Sequence, residues 1–229
     1  MQSPPVPRPR GLYAILDVDA WRARGVELAV AGVIESIADA LLAASPSMLQ
    51  LRAKSEGGRD TLALLRRLLP LTRAAAVPLV ANDRLDLALL AVVDAIHVGQ
   101  DDLALADVRR LAPSMIVGVS THDLAQLDAA IEARPSYVAF GPVFGTTSKH
   151  APDETVGVDG ARGAAVRAAL AGMPLVGIGG VTRERITEVV AAGVRWAAVI
   201  SELVAVDASG RPDLAQVEQR ARAMHGALA

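Results

Sequence analysis

The chain contains 23 basic residues, of which only two are lysines, Lys54 and Lys149. Each lysine follows a short apolar run of the kind that forms a β-strand, and so does the single asparagine, Asn82. In a chain that uses arginine almost everywhere, a lysine indicates a place where a compact ammonium is needed rather than a planar guanidinium. A phosphate oxygen is a common partner of such a point charge, so the two lysines predict an anion-binding site.

Two further polar residues precede the first lysine at the alternate spacing of a β-strand. Gln50, Arg52 and Lys54 occupy alternate positions, so in a strand their side chains point to the same face. Burying two cations and an amide close together costs free energy unless an anion binds to them. A charged loop exposed to water is the alternative, and this segment alone leaves both interpretations open.

Acidic residues follow the next two apolar runs. Asp83 comes directly after Asn82, and Asp102 ends the sequence Gly99-Gln100-Asp101-Asp102. Mg2+ takes one or two protein carboxylates and fills the rest of its octahedron with water and phosphate oxygens. Because cations lie nearby, Asp83 and Asp102 predict a Mg2+ site. In the alternative interpretation, without a metal, Asp83 is a turn residue and Asp101 or Asp102 is the N-cap of a helix.

Hydroxyl groups and glycines follow the remaining runs. Ser120 can donate a hydrogen bond to a ligand. Gly179-Gly180 and Ile200-Ser201 can expose main-chain N–H groups to a phosphate. The segment Thr146-Thr147-Ser148-Lys149 offers neutral donors and one charge, without the residue order of a Walker loop.

Three of the histidines are predicted to be structural. His97 lies within an apolar run and is predicted to be a core histidine with its hydrogen bonds satisfied. His122 is predicted to cap or pack against a helix. His225 is predicted to lie on the surface of the last helix.

The polar residues group into two anion sites. One combines the cations after the second and sixth apolar runs with the predicted metal, which suits a diphosphate, because a divalent ion stabilises concentrated charge on a leaving group. The other combines Gly180, Ser201 and hydroxyls near Thr146, which suits a monophosphate. The economical inference is that two phosphorylated substrates are joined with loss of diphosphate.

The elements that must position these residues alternate along the chain. Most of the apolar runs contain no polar alternation, which is typical of parallel strands covered on both faces. Eight such strands separated by helices in this length favour a (β/α)8 TIM barrel of the α/β class, and a doubly wound open sheet is the alternative. The predicted strands are Leu12–Leu16, Met48–Leu51, Pro78–Ala81, Ala95–Val98, Ile116–Val119, Tyr137–Phe140, Leu175–Ile178 and Ala197–Ile200.

Helix-like patterns fill the intervals between the strands. They are Val26–Ala44, Asp60–Ala75, Leu85–Val92, Asp123–Ala133, Gly160–Leu170, Arg183–Ala192 and Pro212–Met224. The proline-rich residues 1–10 are predicted to form a flexible arm, and residues 11–229 a single catalytic barrel domain. The least regular stretch, Phe144–Asp159, is predicted to be a functional loop.

The amino-acid composition argues against several classes of function. The 229 residues are 52% hydrophobic and only 3% aromatic, so small aliphatic residues must build the core. A formal net charge of -2 without a basic stripe argues against a nucleic-acid partner. The absence of cysteine excludes a disulfide framework and a thiolate nucleophile. Neither a signal peptide nor a membrane span is predicted, so we expect a cytoplasmic protein with small-molecule partners and no membrane partner.

In order and spacing, the motifs of this chain closely resemble those of thiamine-phosphate synthases. The likeness runs from Leu12 to about Leu203. It is carried by Leu12-Tyr13, Gln50-x-Arg52-x-Lys54, Asn82-Asp83-Arg84, His97 to Asp102, Gly118 to His122, Gly141 to Phe144, Thr146-x-Ser148-Lys149, Gly177 to Gly180 and Ile200-Ser201.

The resemblance implies a transferase of thiamine biosynthesis. It would couple 4-amino-2-methyl-5-(diphosphooxymethyl)pyrimidine with a thiazole ethyl phosphate, giving thiamine phosphate and diphosphate. Diphosphate would leave first, and the thiazole nitrogen would capture the resulting pyrimidine-stabilised methylene cation. Electrostatic stabilisation and positioning would then provide the catalysis, without a general base.

The resemblance also assigns roles to residues. Asp83 and Asp102 would hold Mg2+. The residues for the pyrimidine diphosphate would be Arg52, Lys54, Asn82 and Lys149. Gln50 and Ser120 would orient the pyrimidine ring, and Ser120 would join Arg52, Lys54 and Lys149 as a catalytic residue. The residues that seat the thiazole phosphate would be Thr146, Ser148, Gly180, Ile200 and Ser201.

Two other functions stay open at this stage. A thiazole tautomerase of the same barrel family would transfer a proton without joining two substrates, and it would not need the metal and diphosphate groups. A non-catalytic protein that binds a phosphorylated ligand would show affinity without turnover. The joint presence of Asp83, Asp102, Lys54 and Lys149 favours the synthase. The oligomeric state is not predicted.

Overall fold

The structure, a computed structural model, describes residues 10–146 and 154–228. Eight parallel strands close into a barrel in sequence order, because the first strand pairs with both the second and the eighth. This confirms the predicted TIM barrel and excludes the open sheet. The strands are β1 Gly11–Asp17, β2 Met48–Arg52, β3 Leu79–Asn82, β4 Ala95–Val98, β5 Ile116–Thr121, β6 Tyr137–Phe140, β7 Leu175–Gly177 and β8 Trp196–Val199.

Helices surround the barrel and connect its strands. In the described part of the chain they are α1 Val18–Arg22, α2 Val33–Leu42, α3 Gly58–Ala74, α4 Leu85–Ala91, α5 Leu105–Leu111, α6 Leu124–Ala133, α7 Gly157–Leu170, α8 Ile186–Ala191 and α9 Leu214–Leu228. A short 3-10 helix, Ser201–Leu203, follows β8. No helix within residues 10–146 and 154–228 is both long and apolar enough to span a bilayer.

The first predicted helix is wrong in its extent. Val26–Ala44 was expected to be one helix, but α2 begins only at Val33, directly after Gly32 at φ 81°. Gly25 also has a positive φ, 78°, and left-handed glycines end or precede helices rather than continue them. The five-residue α1 and the seven-residue α5 were not predicted.

Three aromatic rings fill the inside of the barrel. Tyr13, Tyr137 and Trp196 are each no more than 4% exposed. The Tyr137 ring meets Tyr13 and Trp196 edge to face, with centroids 5.9 and 5.8 Å apart. Gly118 on β5 leaves the space for the Tyr137 ring, since a Cβ there would lie 2.1 Å from the ring Cζ atom.

We expect Gly118→Ala to destabilise the barrel by about 3 kcal/mol, because the buried Tyr137 ring has no free space into which it can move. Gly163→Ala is the matched control, since Gly163 lies within α7 and a Cβ there would meet nothing within 4 Å. That change should stabilise the protein by about 0.5–1 kcal/mol through helix propensity. Urea unfolding of both variants measures the difference, and equal free energies of unfolding would contradict this account of the interior.

Candidate active site

A cavity of about 420 Å³ opens at the carboxyl ends of the barrel strands. This is the face on which TIM barrels assemble their functional groups. The predicted site residues that line it are Gln50, Arg52, Lys54, Asn82, Asp83, Asp102, Ser120, Thr146, Gly180, Ile200 and Ser201. The predictions for Ser148 and Lys149 lie outside the described residues. Eleven separate positions in the sequence therefore meet at one cavity.

Arg52 is held in place by a carboxylate that the sequence analysis did not single out. Asp17 and Arg52 are paired in the β1–β2 register, and the Arg52 guanidinium forms an ion pair with the Asp17 carboxylate. Asp17 is only 2% exposed, and it also accepts a hydrogen bond from Ala20 N at 2.7 Å as the N-cap of α1. The helix start and the cation are therefore fixed by the same side chain.

Two carboxylates and one ammonium meet at the ends of β3 and β4. Lys54 Nζ lies 3.2 Å from Asp83 Oδ2, and the Asp83 carboxylate is within hydrogen-bond reach of Asp102. Burial raises the pKa of Asp83, and the hydrogen bond with Asp102 raises it further, while the charge of Lys54 partly offsets both. Two such carboxylates do not both stay ionised easily unless more positive charge is supplied.

The alternative interpretations of these aspartates can now be compared with the structure. Asp83 does occupy a turn, with φ 61°, but its carboxylate faces the cavity. Asp102 is not a helix cap, because α5 begins at Leu105 after the N-cap residue Ala104. Instead, Asp102 Oδ2 accepts a hydrogen bond from Gly99 N at 2.7 Å, which holds the loop after β4.

No group of three or more histidine, cysteine, aspartate or glutamate side chains that could hold a metal ion occurs in residues 10–146 and 154–228. Asp83 and Asp102 provide two carboxylates, one fewer than the smallest such group contains. Two carboxylates are the number of protein ligands that Mg2+ typically takes beside a phosphorylated substrate. Their oxygens are hard donors, so the residues present fit this ion better than they fit zinc.

The floor of the cavity is a set of buried and half-buried polar side chains. Gln50 is 3% exposed, and its Nε2 donates to Asn82 Oδ1 at 2.7 Å. Asn82 Nδ2 donates in turn to Asp83 Oδ2 at 2.6 Å. Period-two alternation correctly placed Gln50, Arg52 and Lys54 on the cavity side of β2 and of the loop after it.

Ser120 lies beside a histidine that the sequence analysis assigned to the core. His97 is 7% exposed, with Nε2 at 2.8 Å from Ser120 Oγ and Nδ1 at 3.1 Å from the Tyr137 hydroxyl. The prediction of a buried, hydrogen-bonded His97 is therefore confirmed, but this residue also lines the cavity. Tyr13 and Tyr137 were not predicted to belong to this polar set.

The opposite wall is built from two loops in close contact. A Cβ at Gly180 would lie 2.4 Å from Gly145 O, and one at Gly179 would lie 2.4 Å from Pro142 Cβ. Both glycines also have positive φ angles, 61° and 95° respectively. Phe144 N donates to Gly179 O at 3.0 Å, which joins the loop after β6 to the loop after β7. Only glycine fits at these two positions.

The remaining predicted residues and histidines lie around this wall. Ile200 directly follows β8 as the N-cap residue of the 3-10 helix, and Ser201 begins that helix at the rim. His122 Nδ1 lies 2.7 Å from Gly141 O, which agrees with a packing role, although His122 also lines the cavity. His225 is only partly exposed, because it lies at the other end of the barrel with its Nδ1 3.4 Å from Leu12 N.

Comparisons with known proteins agree on one family. A family model described as thiamine monophosphate synthase matches residues 27–203. A thiamine-phosphate synthase from Roseiflexus sp. is 37% identical over 230 residues, covering 100% of this chain and 91% of the relative. One from Koribacter versatilis is 43% identical over 197 residues, covering 84% of this chain and 88% of the relative.

Solved structures agree on the fold. The thiamine phosphate pyrophosphorylase from Pyrococcus furiosus superposes with a TM-score of 0.75 at 24% identity, covering 95% of each chain. The thiamine phosphate pyrophosphorylase from Bacteroides thetaiotaomicron superposes with a TM-score of 0.63 at 16% identity, covering 94% of this chain and 96% of that one. Together with the family match over more than two thirds of its length, the two relatives place this chain in the thiamine monophosphate synthase family, a family of transferases in thiamine biosynthesis.

Proposed function

We propose that this protein is a thiamine-phosphate synthase that joins an aminopyrimidine methyl diphosphate to a thiazole ethyl phosphate and releases diphosphate. One observation supports this most directly. A single cavity has the Asp83–Asp102 pair with Lys54 and Arg52 on one wall, and the glycine loop at Gly180 on the other. Two phosphorylated groups can therefore be held at opposite sides of one space. A cytoplasmic location belongs to the same proposal.

The first wall fits a diphosphate. Arg52 is fixed by Asp17, while the Lys54 ammonium is half exposed and can reach into the cavity. Lys149 belongs to this set by its sequence motif. Positive groups held before the reaction stabilise charge that develops as the diphosphate departs, without having to reorganise at that moment.

The aspartate pair fits Mg2+ as its ligands. Burial raises the pKa of Asp83 and the contact with Asp102 raises it further, so a bound cation would stabilise both carboxylates in their charged form. When bound, Mg2+ would supply charge that stabilises the diphosphate leaving group. Asn82 and Lys54 then orient the Asp83 carboxylate from the side that faces the barrel.

The second wall fits the monophosphate of the thiazole. The close approach of Gly145 and Gly180 leaves main-chain groups at the cavity edge, and Ser201 starts a helical turn there. Thr146 and Ser148 supply hydroxyls by their sequence positions. The two walls would hold the thiazole nitrogen facing the methylene carbon that loses diphosphate, so positioning replaces a general base.

We expect diphosphate release only when the pyrimidine diphosphate, the thiazole phosphate and Mg2+ are all present. A coupled assay for diphosphate and thiamine phosphate, with each component omitted in turn, measures this. Isomerisation of a thiazole carboxylate without metal or pyrimidine would instead indicate a tautomerase. Binding of the phosphorylated ligands by calorimetry, with no product in the assay, would indicate a binding protein.

We expect Lys54→Ala to lower kcat about 100-fold, the usual loss when one group that stabilises transition-state charge is removed. The fold should persist, because the Lys54 side chain is 52% exposed. Arg222→Ala is a suitable control, since Arg222 is an exposed cation on α9 that pairs with Glu218. Steady-state kinetics of both variants measures the effect, and a Lys54→Ala enzyme with wild-type kcat would remove this residue from the diphosphate site.

We expect Asp102→Asn to abolish most activity while leaving the metal-free protein as stable or more stable. The amide oxygen can still accept from Gly99 N–H, but one of two facing charges is gone, which favours the folded state by on the order of 1 kcal/mol or less. Thermal unfolding in EDTA and a Mg2+ titration of turnover measure the two effects.

Asp107, an aspartate on α5 with a half-exposed side chain that pairs with Arg110, provides the control for that experiment. Asp107→Asn removes the same charge outside the cavity lining and should change neither unfolding nor turnover measurably. An Asp102→Asn protein that is much less stable than wild type would mean that the carboxylate holds the fold. In that case Asp102 would not be assigned to the metal.

A further inference from the structure

A continuous series of hydrogen bonds runs through the barrel interior from Asp83 to Ser120. Its first half is anchored by the Asp83 carboxylate, where Oδ2 meets Lys54 Nζ at 3.2 Å and Asn82 Nδ2 at 2.6 Å. Both partners are donors, so this oxygen accepts. The amide of Asn82 is therefore oriented with its oxygen toward Gln50, 2.7 Å from Nε2. Gln50 must donate there, which leaves its own oxygen to accept from the Tyr13 hydroxyl at 2.7 Å.

The second half follows from counting protons. Tyr13 has used its only proton on Gln50, so the proton in its 2.9 Å contact with the Tyr137 oxygen belongs to Tyr137. Tyr137 then has no further proton to donate, so His97 Nδ1, which lies 3.1 Å from the Tyr137 oxygen, must donate to it. A neutral imidazole carries one N–H, which leaves His97 Nε2 to accept from the Ser120 hydroxyl at 2.8 Å.

We infer that this interior series fixes His97 as the Nδ1–H tautomer and makes Ser120 Oγ a hydrogen-bond acceptor toward the cavity, with Tyr137 and His97 as positioning residues. Because the Ser120 proton is used inside the barrel, Ser120 offers only lone pairs to a substrate, which reverses the donor role expected from the sequence. The complementary substrate group is an N–H donor. If the proposed function holds, that donor is the exocyclic amino group of the aminopyrimidine.

The surroundings of the series hold each proton in place. Burial raises the pKa of both Tyr13 and Tyr137, so each hydroxyl keeps its proton at neutral pH. His97 is 7% exposed, and its ring stacks at 24° on that of Tyr137 with centroids 5.6 Å apart. Burying a charged imidazole away from water would cost free energy. Burial therefore favours the neutral form of His97, which the assignment of protons above requires.

The tautomer can be measured without any substrate. In the full-length protein with 15N-labelled histidine, the His97 signals are assigned by their loss in His97→Gln. We expect a protonated Nδ1 and a bare Nε2 at pH 7.5, and Tyr137→Phe should shift His97 toward the Nε2–H form. Val80→Ala removes packing from the same interior layer and should keep the wild-type tautomer.

Three results of this experiment would overturn the inference. They are an Nε2–H tautomer in the wild type, a doubly protonated ring, and an equal tautomer shift in Val80→Ala. The wild-type spectrum decides the tautomer by itself, so the test stands even where Tyr137→Phe fails to fold.

Binding then tests the polarity at Ser120. The 4-aminopyrimidine diphosphate should bind about tenfold more tightly than an analogue with a 4-methyl group, and Ser120→Ala should reduce that ratio to about twofold or less. Equal binding of the two compounds to the wild type would overturn the acceptor role of Ser120. An enzyme that discriminates between them and shows the Nδ1–H tautomer, yet forms no thiamine phosphate, would support the inference and refute the proposed function.

Discussion

The facing carboxylates of Asp83 and Asp102 set the main electrostatic constraint on this site. A closed parallel barrel brings all strand ends to one rim, so residues 19 positions apart in the chain meet within hydrogen-bond reach. Burial keeps the pKa of Asp83 raised and the contact with Asp102 raises it further, while the charge of Lys54 offsets these effects only in part. In the proposed function, a cation that arrives with an anionic substrate would stabilise both carboxylates in their charged form.

The same carboxylate also orders the barrel interior. Because Asp83 Oδ2 accepts from Asn82 Nδ2, it fixes the orientation of Asn82 and then of Gln50. The same order continues through Tyr13 on β1 and Tyr137 on β6. Polar groups buried this deeply are costly unless every partner is present. The hydrogen bonds that lower this cost also fix the two side chains assigned to the pyrimidine, Gln50 and Ser120, so stability and binding geometry depend on the same contacts.

Much of this arrangement could be predicted from the sequence, and the exceptions have physical reasons. All eight strands were located because burial on both faces makes most of their residues apolar. Alternation placed Gln50, Arg52 and Lys54 correctly. Asp17 was missed because its role depends on the β1–β2 register, which pairs it with Arg52. Tyr13 and Tyr137 meet across 124 residues, and no periodicity in one chain segment contains that contact.

The glycine positions show how closely packing and chemistry are coupled here. Gly118 has no side chain because the Tyr137 ring occupies that space, and Gly180 has none because Gly145 O does. The first glycine therefore positions the ring whose hydroxyl meets His97, and the second brings the loops after β6 and β7 together at the cavity wall. Neither glycine donates a side-chain group to a ligand. An account of side-chain chemistry alone would treat both glycines as dispensable. With any larger residue, however, neither the interior hydrogen bonds nor the loop contact at the proposed second anion site could keep their present geometry.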